Sequence, residues 1–152
     1  MQNGDALPDV EVATTSGPLA LRSLVGRPLV IYFYPKDSTP GCTRQANDFT
    51  MMHAQFQRAG VNVVGVSRDS LASHQRFRER QGIVFDLVSD PDETLCKAFD
   101  VIREKNMYGR TVVGIQRSTF LFDAKGLLVE SWRGVKVPGH VEAVLAAAEA
   151  IA

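Results

Sequence analysis

One cysteine in this 152-residue chain lies where its sulfur could act as a nucleophile. Cys42 follows Pro35 and Thr39 in the pattern P-x-x-x-T-x-x-C, shortly after the apolar run 29–34. Apolar residues after Cys42 recur at helical spacing, which places this cysteine in the first turn of a helix. The first turn has unpaired backbone N–H groups and the positive end of the helix dipole, so a thiol there ionises more easily to its reactive thiolate form. We therefore predict that Cys42 is a nucleophile.

Hydrophobic patterning predicts the elements that hold this cysteine. The run 29–34 is continuous, β-branched and aromatic, which indicates a strand buried on both faces. The helix after Cys42 is expected to end at Ala59 and Gly60. Further strands are predicted at residues 61–66, 83–88, 119–122 and 127–132, and further helices at residues 70–81, 90–99 and 141–151. Residues 101–114 are interpreted as a polar loop with a candidate strand start at residues 112–115, and the N-terminal residues as a short hairpin that covers one end of the core.

This order of elements predicts an α/β fold. Alternation of strands and helices gives parallel strands, and the hairpin 119–132 adds antiparallel ones. We expect one domain, residues 1–152, built on a mixed central sheet with helices on both faces and an N-terminal β-hairpin extension. The chain is long enough for one domain with a substantial core.

Composition excludes several classes of function. Seventeen Lys and Arg residues balance seventeen Asp and Glu residues, so there is no charge excess that would favour nucleic acid or an anionic membrane. No apolar run approaches the roughly 18 residues that a membrane helix needs. The N-terminus resembles no secretory signal. Two cysteines in such a chain favour reduced thiols over a disulfide framework, and we expect a cytoplasmic protein.

Two sequence blocks carry a resemblance to a known family. Residues 32–43 read YFYPKDSTPGCT and residues 116–122 read QRSTFLF. Together they resemble the peroxiredoxins, and most of all the bacterioferritin comigratory protein, or peroxiredoxin Q, subgroup. The resemblance implies a thioredoxin-like fold and a thiol-dependent peroxidase that reduces hydrogen peroxide and organic hydroperoxides in antioxidant defence. It implies neither a metal nor a bound cofactor.

The resemblance also assigns roles to residues. Cys42 would attack one peroxide oxygen and become a sulfenic acid. The Thr39 hydroxyl would orient the peroxide and donate to the thiolate, and Pro35 would shield the sulfur from water. The family pattern assigns a substrate-orienting guanidinium to Arg117. Such groups align the O–O bond and stabilise charge on the leaving oxygen.

Two routes are considered for the second step of the cycle, which is the reduction of the Cys42 sulfenic acid. Many members of the family carry a resolving cysteine five residues after the first, a position that is Asn47 here. Either an external thiol reduces Cys42 directly, or Cys96 forms a disulfide with it. Cys96 accompanies Leu95 and Phe99 on its own helix, which favours a buried hydrophobic role. We prefer the one-cysteine reading, with thioredoxin, glutaredoxin or a small thiol as reductant, in a monomer or weak homodimer.

Single residues argue against several other functions. A disulfide reductase needs Cys-x-x-Cys, but Gln45 occupies the second position. A Cys–His hydrolase would need His53, which lies three helical turns from Cys42, roughly 16 Å away. His74 and His140 have no companions in the sequence that suggest a metal site, and Asp37 is expected to be a solvated loop charge. A redox-sensing or holdase module without efficient turnover remains the alternative function.

Overall fold

The computed structural model describes all 152 residues. It contains nine strands and five α-helices. The strands are β1 (Glu11–Thr14), β2 (Gly17–Ala20), β3 (Leu29–Phe33), β4 (Asn62–Ser67), β5 (Asp86–Ser89), β6 (Ile102–Met107), β7 (Arg110–Ile115), β8 (Ser118–Phe122) and β9 (Leu128–Arg133). The helices are α1 (Pro40–Met51), α2 (His53–Arg58), α3 (Leu71–Gln81), α4 (Thr94–Ala98) and α5 (His140–Ile151). None of them combines the length and apolarity needed to cross a membrane.

Seven strands form one mixed sheet in the order β2-β1-β5-β4-β3-β8-β9. β3 runs parallel to β4, and β4 runs parallel to β5, because a helix connects each pair. β8 lies antiparallel on the other side of β3, and β1 pairs antiparallel with β2 as the N-terminal hairpin. The predicted mixed sheet with a hairpin extension is therefore confirmed.

The two faces of the sheet bury separate apolar clusters. Successive side chains of a strand point to opposite faces. Along β3, Val30 and Tyr32 belong to one cluster, and Ile31 and Phe33 belong to the other. The first cluster takes side chains from α1, α2, α3 and α5, whereas the second takes them from α4 and the N-terminal segment. Helices thus cover both faces, as predicted.

Two sequence interpretations of the backbone were wrong. The helix predicted from Cys42 to Ala59 is two helices, because Met52 leaves helical geometry at φ −96° and ψ 5°. The segment predicted as a polar loop at 101–114 is instead the two-stranded hairpin β6–β7, separate from the main sheet, and only the candidate strand start at 112–115 lies within a strand, β7. Alternation of its charged and apolar residues is weak, and most of its side chains are exposed. Backbone pairing, rather than burial, defines this hairpin.

Candidate active site

Cys42 is the third residue of α1, and its side chain is buried beside the end of the central strand. Pro40 begins the helix at a position where its missing N–H costs nothing. The backbone N–H groups of Gly41 and Cys42 have no acceptor within the helix. Thr39 occupies the N-cap position, yet its side chain caps none of these groups. The start of α1 therefore presents backbone donors beside a buried thiol.

Strand register brings Arg117 to this helix from 75 residues away. β8 pairs antiparallel with β3, with Ser118 opposite Phe33 at the end of the ladder. The residue before Ser118 therefore lies at the carboxyl end of β3, where the chain turns toward Cys42. Sheet pairing thus places the guanidinium and the thiol together.

Arg117 contacts the sulfur directly. Its Nη2 donates to Cys42 Sγ at 3.4 Å, and its Nη1 donates to Gln45 Oε1 at 2.6 Å. A Cβ on Gly41 would lie 3.2 Å from Arg117 Nη2, so the glycine leaves room for the guanidinium. The cation is thereby fixed between a carbonyl acceptor and the sulfur.

Gln45 is the site residue that the sequence interpretation missed. It is fully buried and lies one helical turn after Cys42, on the same face of α1. Its Oε1 holds Arg117, while its Nε2 has no partner. The spacing i, i+3 from a candidate nucleophile was the available signal. A polar residue at a buried helical position needs a partner, and here the partner is the guanidinium.

Thr39 and Pro35 lie in the loop before α1, with a difference from expectation at Thr39. The Thr39 hydroxyl donates to the carbonyl of Lys36 at 2.8 Å and makes no hydrogen bond to Cys42. Its oxygen keeps lone pairs free to accept from a ligand. Pro35 is half-buried directly after the buried Tyr34. The structure thus joins Arg117 to Cys42, whereas Thr39 lies three residues before Cys42 and contacts Lys36 instead.

Asp37, in the same loop, is buried, so its interpretation as a solvated charge was wrong. His74 is not isolated either, because its Nδ1 donates to Asp37 Oδ2 at 2.7 Å. Asp69 completes the cluster by accepting the backbone N–H of Asp37 at 2.9 Å. These partners come from three separate segments, so no local sequence pattern could have indicated them.

Cys96 lies on the opposite face of the sheet from Cys42. It belongs to the second apolar cluster and is fully buried, and both cysteines are free. The Asp90 carboxylate accepts the backbone N–H groups of Leu95 and Cys96. Burial above all, and then the Asp90 carboxylate, raise the pKa of the Cys96 thiol far above its ordinary value. The helix predicted from residue 90 begins only at Thr94, with Glu93 at the N-cap position.

The two remaining histidines lie in separate environments. His140 is buried, and its Nε2 lies 2.8 Å from the Thr119 hydroxyl. Burial, with a smaller contribution from the Arg117 cation, lowers the pKa of His140 to about 4. His53 is half-buried against Phe85, and burial lowers its pKa also. Neither imidazole is hydrogen-bonded to Cys42.

A mixed sheet of this order, with a thiol and a guanidinium at the start of a helix, defines a thiol-dependent redox protein of thioredoxin-like fold. Comparison with known proteins specifies the family. The sequence matches the AhpC/TSA family over residues 3–131. It is 54% identical to peroxiredoxin Bcp of Xanthomonas campestris pv. campestris, over 96% of each chain.

Solved structures agree with this match. The bacterioferritin comigratory protein of X. campestris, whose structures concern alkyl peroxide reduction, superimposes with a TM-score of 0.90 at 53% identity, covering 96% of this chain and 98% of that one. A peroxiredoxin Q mutant of Xylella fastidiosa gives a TM-score of 0.94 at 46% identity, covering 99% and 96%. The chain therefore belongs to the AhpC/TSA family, in its Bcp or peroxiredoxin Q subgroup. It is a thiol-dependent peroxidase, and the non-catalytic alternative is not favoured.

Proposed function

We propose that Cys42 is the peroxidatic nucleophile of this peroxidase. The thiolate sulfur attacks one peroxide oxygen, so that an S–O bond forms while the O–O bond breaks. The other oxygen leaves with the bonding electron pair as hydroxide or alkoxide and takes up a proton, and Cys42 becomes a sulfenic acid. The observation that carries this proposal is the Arg117 Nη2 donor, 3.4 Å from the sulfur.

Arg117 serves two purposes in this step. Its positive charge favours an anionic sulfur. Its N–H groups also face the space where charge grows on the leaving oxygen, which is the usual way that an active site lowers such a barrier. Gln45 fixes the guanidinium in this orientation through its Oε1.

Thr39, Pro35 and the helix start complete the proposed site. The Thr39 oxygen accepts the peroxide O–H, since its own hydrogen is donated to Lys36. Pro35 limits access of water to the sulfur. The backbone N–H groups of Gly41 and Cys42 supply further donors to the reacting oxygens.

Hydrogen peroxide and organic hydroperoxides are the proposed substrates. The reaction needs only an O–O bond in line with the sulfur and an O–H for the Thr39 oxygen to accept. Both kinds of peroxide provide these groups. The description of the X. campestris relative, which concerns alkyl peroxides, supports the organic class.

An external thiol is the proposed reductant of the Cys42 sulfenic acid. Disulfide formation requires Cα atoms within about 7 Å of one another. Cys96 lies across the sheet from Cys42, at the core of the other apolar cluster, so the intervening strands separate the two sulfurs. Thioredoxin, glutaredoxin and small thiols all supply the two electrons needed. This location favours the one-cysteine cycle over the Cys96 alternative.

The setting of the enzyme is also a proposal. We infer one domain, residues 1–152, that functions in the cytoplasm as a monomer or weak homodimer. Both thiols are free, which suits a reducing compartment. Analytical ultracentrifugation at micromolar concentration tests the oligomeric state.

The test of the assignment compares two cysteine variants. Cys42→Ser should lose peroxidase activity by at least about 10³-fold, because no other thiol replaces the nucleophile. Cys96→Ser should keep the parent's rate and accumulate a dimedone-reactive sulfenic acid at Cys42 after one equivalent of peroxide, detected by mass spectrometry. A Cys42–Cys96 disulfide in the parent protein would contradict the one-cysteine cycle. Parent-level turnover in Cys42→Ser would contradict the nucleophile itself.

A further inference from the structure

The loop between β3 and α1 is tied to the protein through one buried carboxylate that the mechanism above does not use. Asp37 Oδ1 accepts the Tyr34 hydroxyl at 2.7 Å. Its Oδ2 accepts the Ser73 hydroxyl at 2.8 Å and His74 Nδ1 at 2.7 Å. The side chain is only 3% exposed. Every one of these donors lies outside the segment 35–42 that carries the reactive groups.

His74 has oxygen acceptors at both ring nitrogens. Nδ1 faces the Asp37 carboxylate, and Nε2 lies 3.0 Å from the carbonyl oxygen of Val88 on β5. A neutral imidazole has only one N–H, so one nitrogen would direct its lone pair at an oxygen. With a proton on each nitrogen, both contacts become hydrogen bonds. Both ring nitrogens therefore lie within hydrogen-bond distance of a fixed oxygen, and the His74 side chain is 0% exposed.

The backbone at Asp37 is fixed as well. Its N–H donates to Asp69 Oδ2, which also accepts the Ser67 hydroxyl at 2.6 Å. Both acids face His74, so the cluster contains two carboxylates and one imidazole. Ser38, the next residue, has φ +65°, in a region that a non-glycine residue rarely adopts unless its surroundings hold it there. The contacts of Asp37 supply those surroundings.

We propose that His74 and Asp37 form a positioning pair for the peroxidase reaction. They hold the segment 37–42 so that Thr39 and Cys42 keep the alignment that the attack requires. The proposal rests on the assignment of Cys42 as the nucleophile. Neither residue touches the peroxide, and both act through the loop.

The chemistry of a buried pair explains why this anchor is rigid. Removing the imidazole leaves the buried Asp37 carboxylate without one of its hydrogen-bond partners, which is unfavourable in the interior. The loop therefore cannot shift without disrupting contacts to α3, β4 and β5 together. A displacement of reacting groups by about 1 Å can lower a rate by about 10²-fold. The anchored loop thus maintains the rate constant for peroxide by keeping the reacting groups aligned, and it does not alter the intrinsic reactivity of the sulfur.

The experiment measures two rate constants in a Cys96→Ser background, so that only Cys42 reports. Stopped-flow oxidation by hydrogen peroxide needs the aligned loop, whereas alkylation by iodoacetamide needs only an accessible thiolate. His74→Gln should lower the peroxide rate constant by about 10- to 100-fold and leave the alkylation rate constant unchanged or higher. His53→Gln is the matched control, since that histidine lies away from the loop, and it should change neither.

The outcomes separate the proposal from its alternatives. A folded His74→Gln protein whose peroxide rate constant stays within twofold of the parent overturns the positioning role. A parallel fall of both rate constants also overturns it, because general loss of structure affects the two reactions alike. If His74→Gln does not fold by circular dichroism, the neutral double variant Asp37→Asn/His74→Gln decides in its place, with the same criteria. Slow oxidation of the parent protein would count instead against Cys42 as the nucleophile.

Discussion

The two cysteines of this protein form a natural comparison. Both are buried, both are free, and both lie in the first turn of a helix. At Cys42 the nearest charged group is the Arg117 guanidinium. At Cys96 it is the Asp90 carboxylate, which accepts the Cys96 backbone N–H at 2.8 Å.

The difference shows that two helix starts can give a buried thiol opposite electrostatic surroundings. In α4 a carboxylate already occupies the backbone donors, and its negative charge, added to burial, raises the pKa of Cys96. In α1 the N-cap side chain of Thr39 leaves the donors open, and a cation lies beside the sulfur. The two sites therefore differ in the sign of the neighbouring charge, and a neighbouring cation favours a thiolate whereas a neighbouring anion opposes it.

Removing the cation should abolish most of the contrast between the two sites. Arg117→Met is expected to lower the second-order rate constant for peroxide by about 10²- to 10³-fold, the usual effect of losing one donor to a developing oxyanion. Stopped-flow measurement with hydrogen peroxide checks it. Arg103→Met, which removes an exposed arginine paired with Asp100, is the control and should have no effect. A loss of less than threefold in Arg117→Met would refute the role of the guanidinium.

Loosening the cation should have a smaller effect. Gln45→Leu removes the acceptor that holds Arg117 Nη1 at 2.6 Å. A hydrogen bond to a charged group contributes about 1.5–3 kcal/mol, and we expect about a tenfold lower rate constant because part of that energy orients the guanidinium. Gln57→Leu, at an exposed position of α2, provides the comparison. Equal rates in the two variants would mean that Arg117 needs no support from Gln45.

Removing the carboxylate beside Cys96 tests whether its negative charge raises the pKa of that thiol. Asp90→Asn should lower the pKa of Cys96, because the carboxylate raises it, although burial keeps that pKa above its ordinary value. Titration of thiolate absorbance in a Cys42→Ser background measures the shift. Glu93→Gln is the control, since Glu93 raises the same pKa to a lesser extent, and its shift should be smaller. An unchanged Cys96 titration in Asp90→Asn would mean that burial alone sets the thiol's behaviour.

The smallest expected effects concern His140, whose pKa is lowered by burial and, to a lesser extent, by the Arg117 charge. The pKa of His140 falls from an ordinary 6.5 to about 4 in the folded protein. Between these values the unfolded chain binds a proton that the folded chain does not, so stability decreases as pH falls from 6.5 toward 4. Urea unfolding at pH 7 and pH 5 should show a larger loss for the parent than for His140→Gln.

Arg117→Met should raise the pKa of His140 in NMR titrations, because the cation lowers it. The shift should be small, since burial is the larger cause. If His140 titrated identically in the parent and in Arg117→Met, the Arg117 charge would have no effect on the pKa of His140.

Patterns within one segment predicted the parts of the molecule that local physics controls. The apolar run 29–34 predicted β3, because a continuous β-branched and aromatic run of this length is typical of a strand buried on both faces. The helix predicted at 70–81 likewise corresponds to α3, where the structure adds Ser70 as the N-cap and Gly82 in the left-handed conformation at the end. The hairpin β6–β7 was not predicted beyond a candidate strand start at 112–115, because its exposed side chains give little periodic signal.

Contacts between distant segments explain what the sequence interpretation got wrong at the site. Asp37 was expected to be solvated because it is a charged residue in a turn-rich loop, yet its partners come from α3 and from Asp69, just after β4. Gln45 was used only to exclude a Cys-x-x-Cys motif. Its pairing with Arg117 could not be predicted, because Arg117 follows 72 residues later. The local sequence around a polar side chain does not indicate whether the fold will bury it and supply a hydrogen-bond partner from a distant segment.

The sequence by itself determined that a cysteine begins a helix after a buried strand, because hydrophobic spacing and turn residues act over a few positions. It also determined the family, through the two blocks around Cys42 and Arg117. Only the tertiary structure decided which charge each cysteine meets. Register between β3 and β8 brings Arg117 to Cys42, and the sheet itself separates Cys96 from it. Electrostatic interactions depend on distance in space, and pairing across the sheet sets that distance.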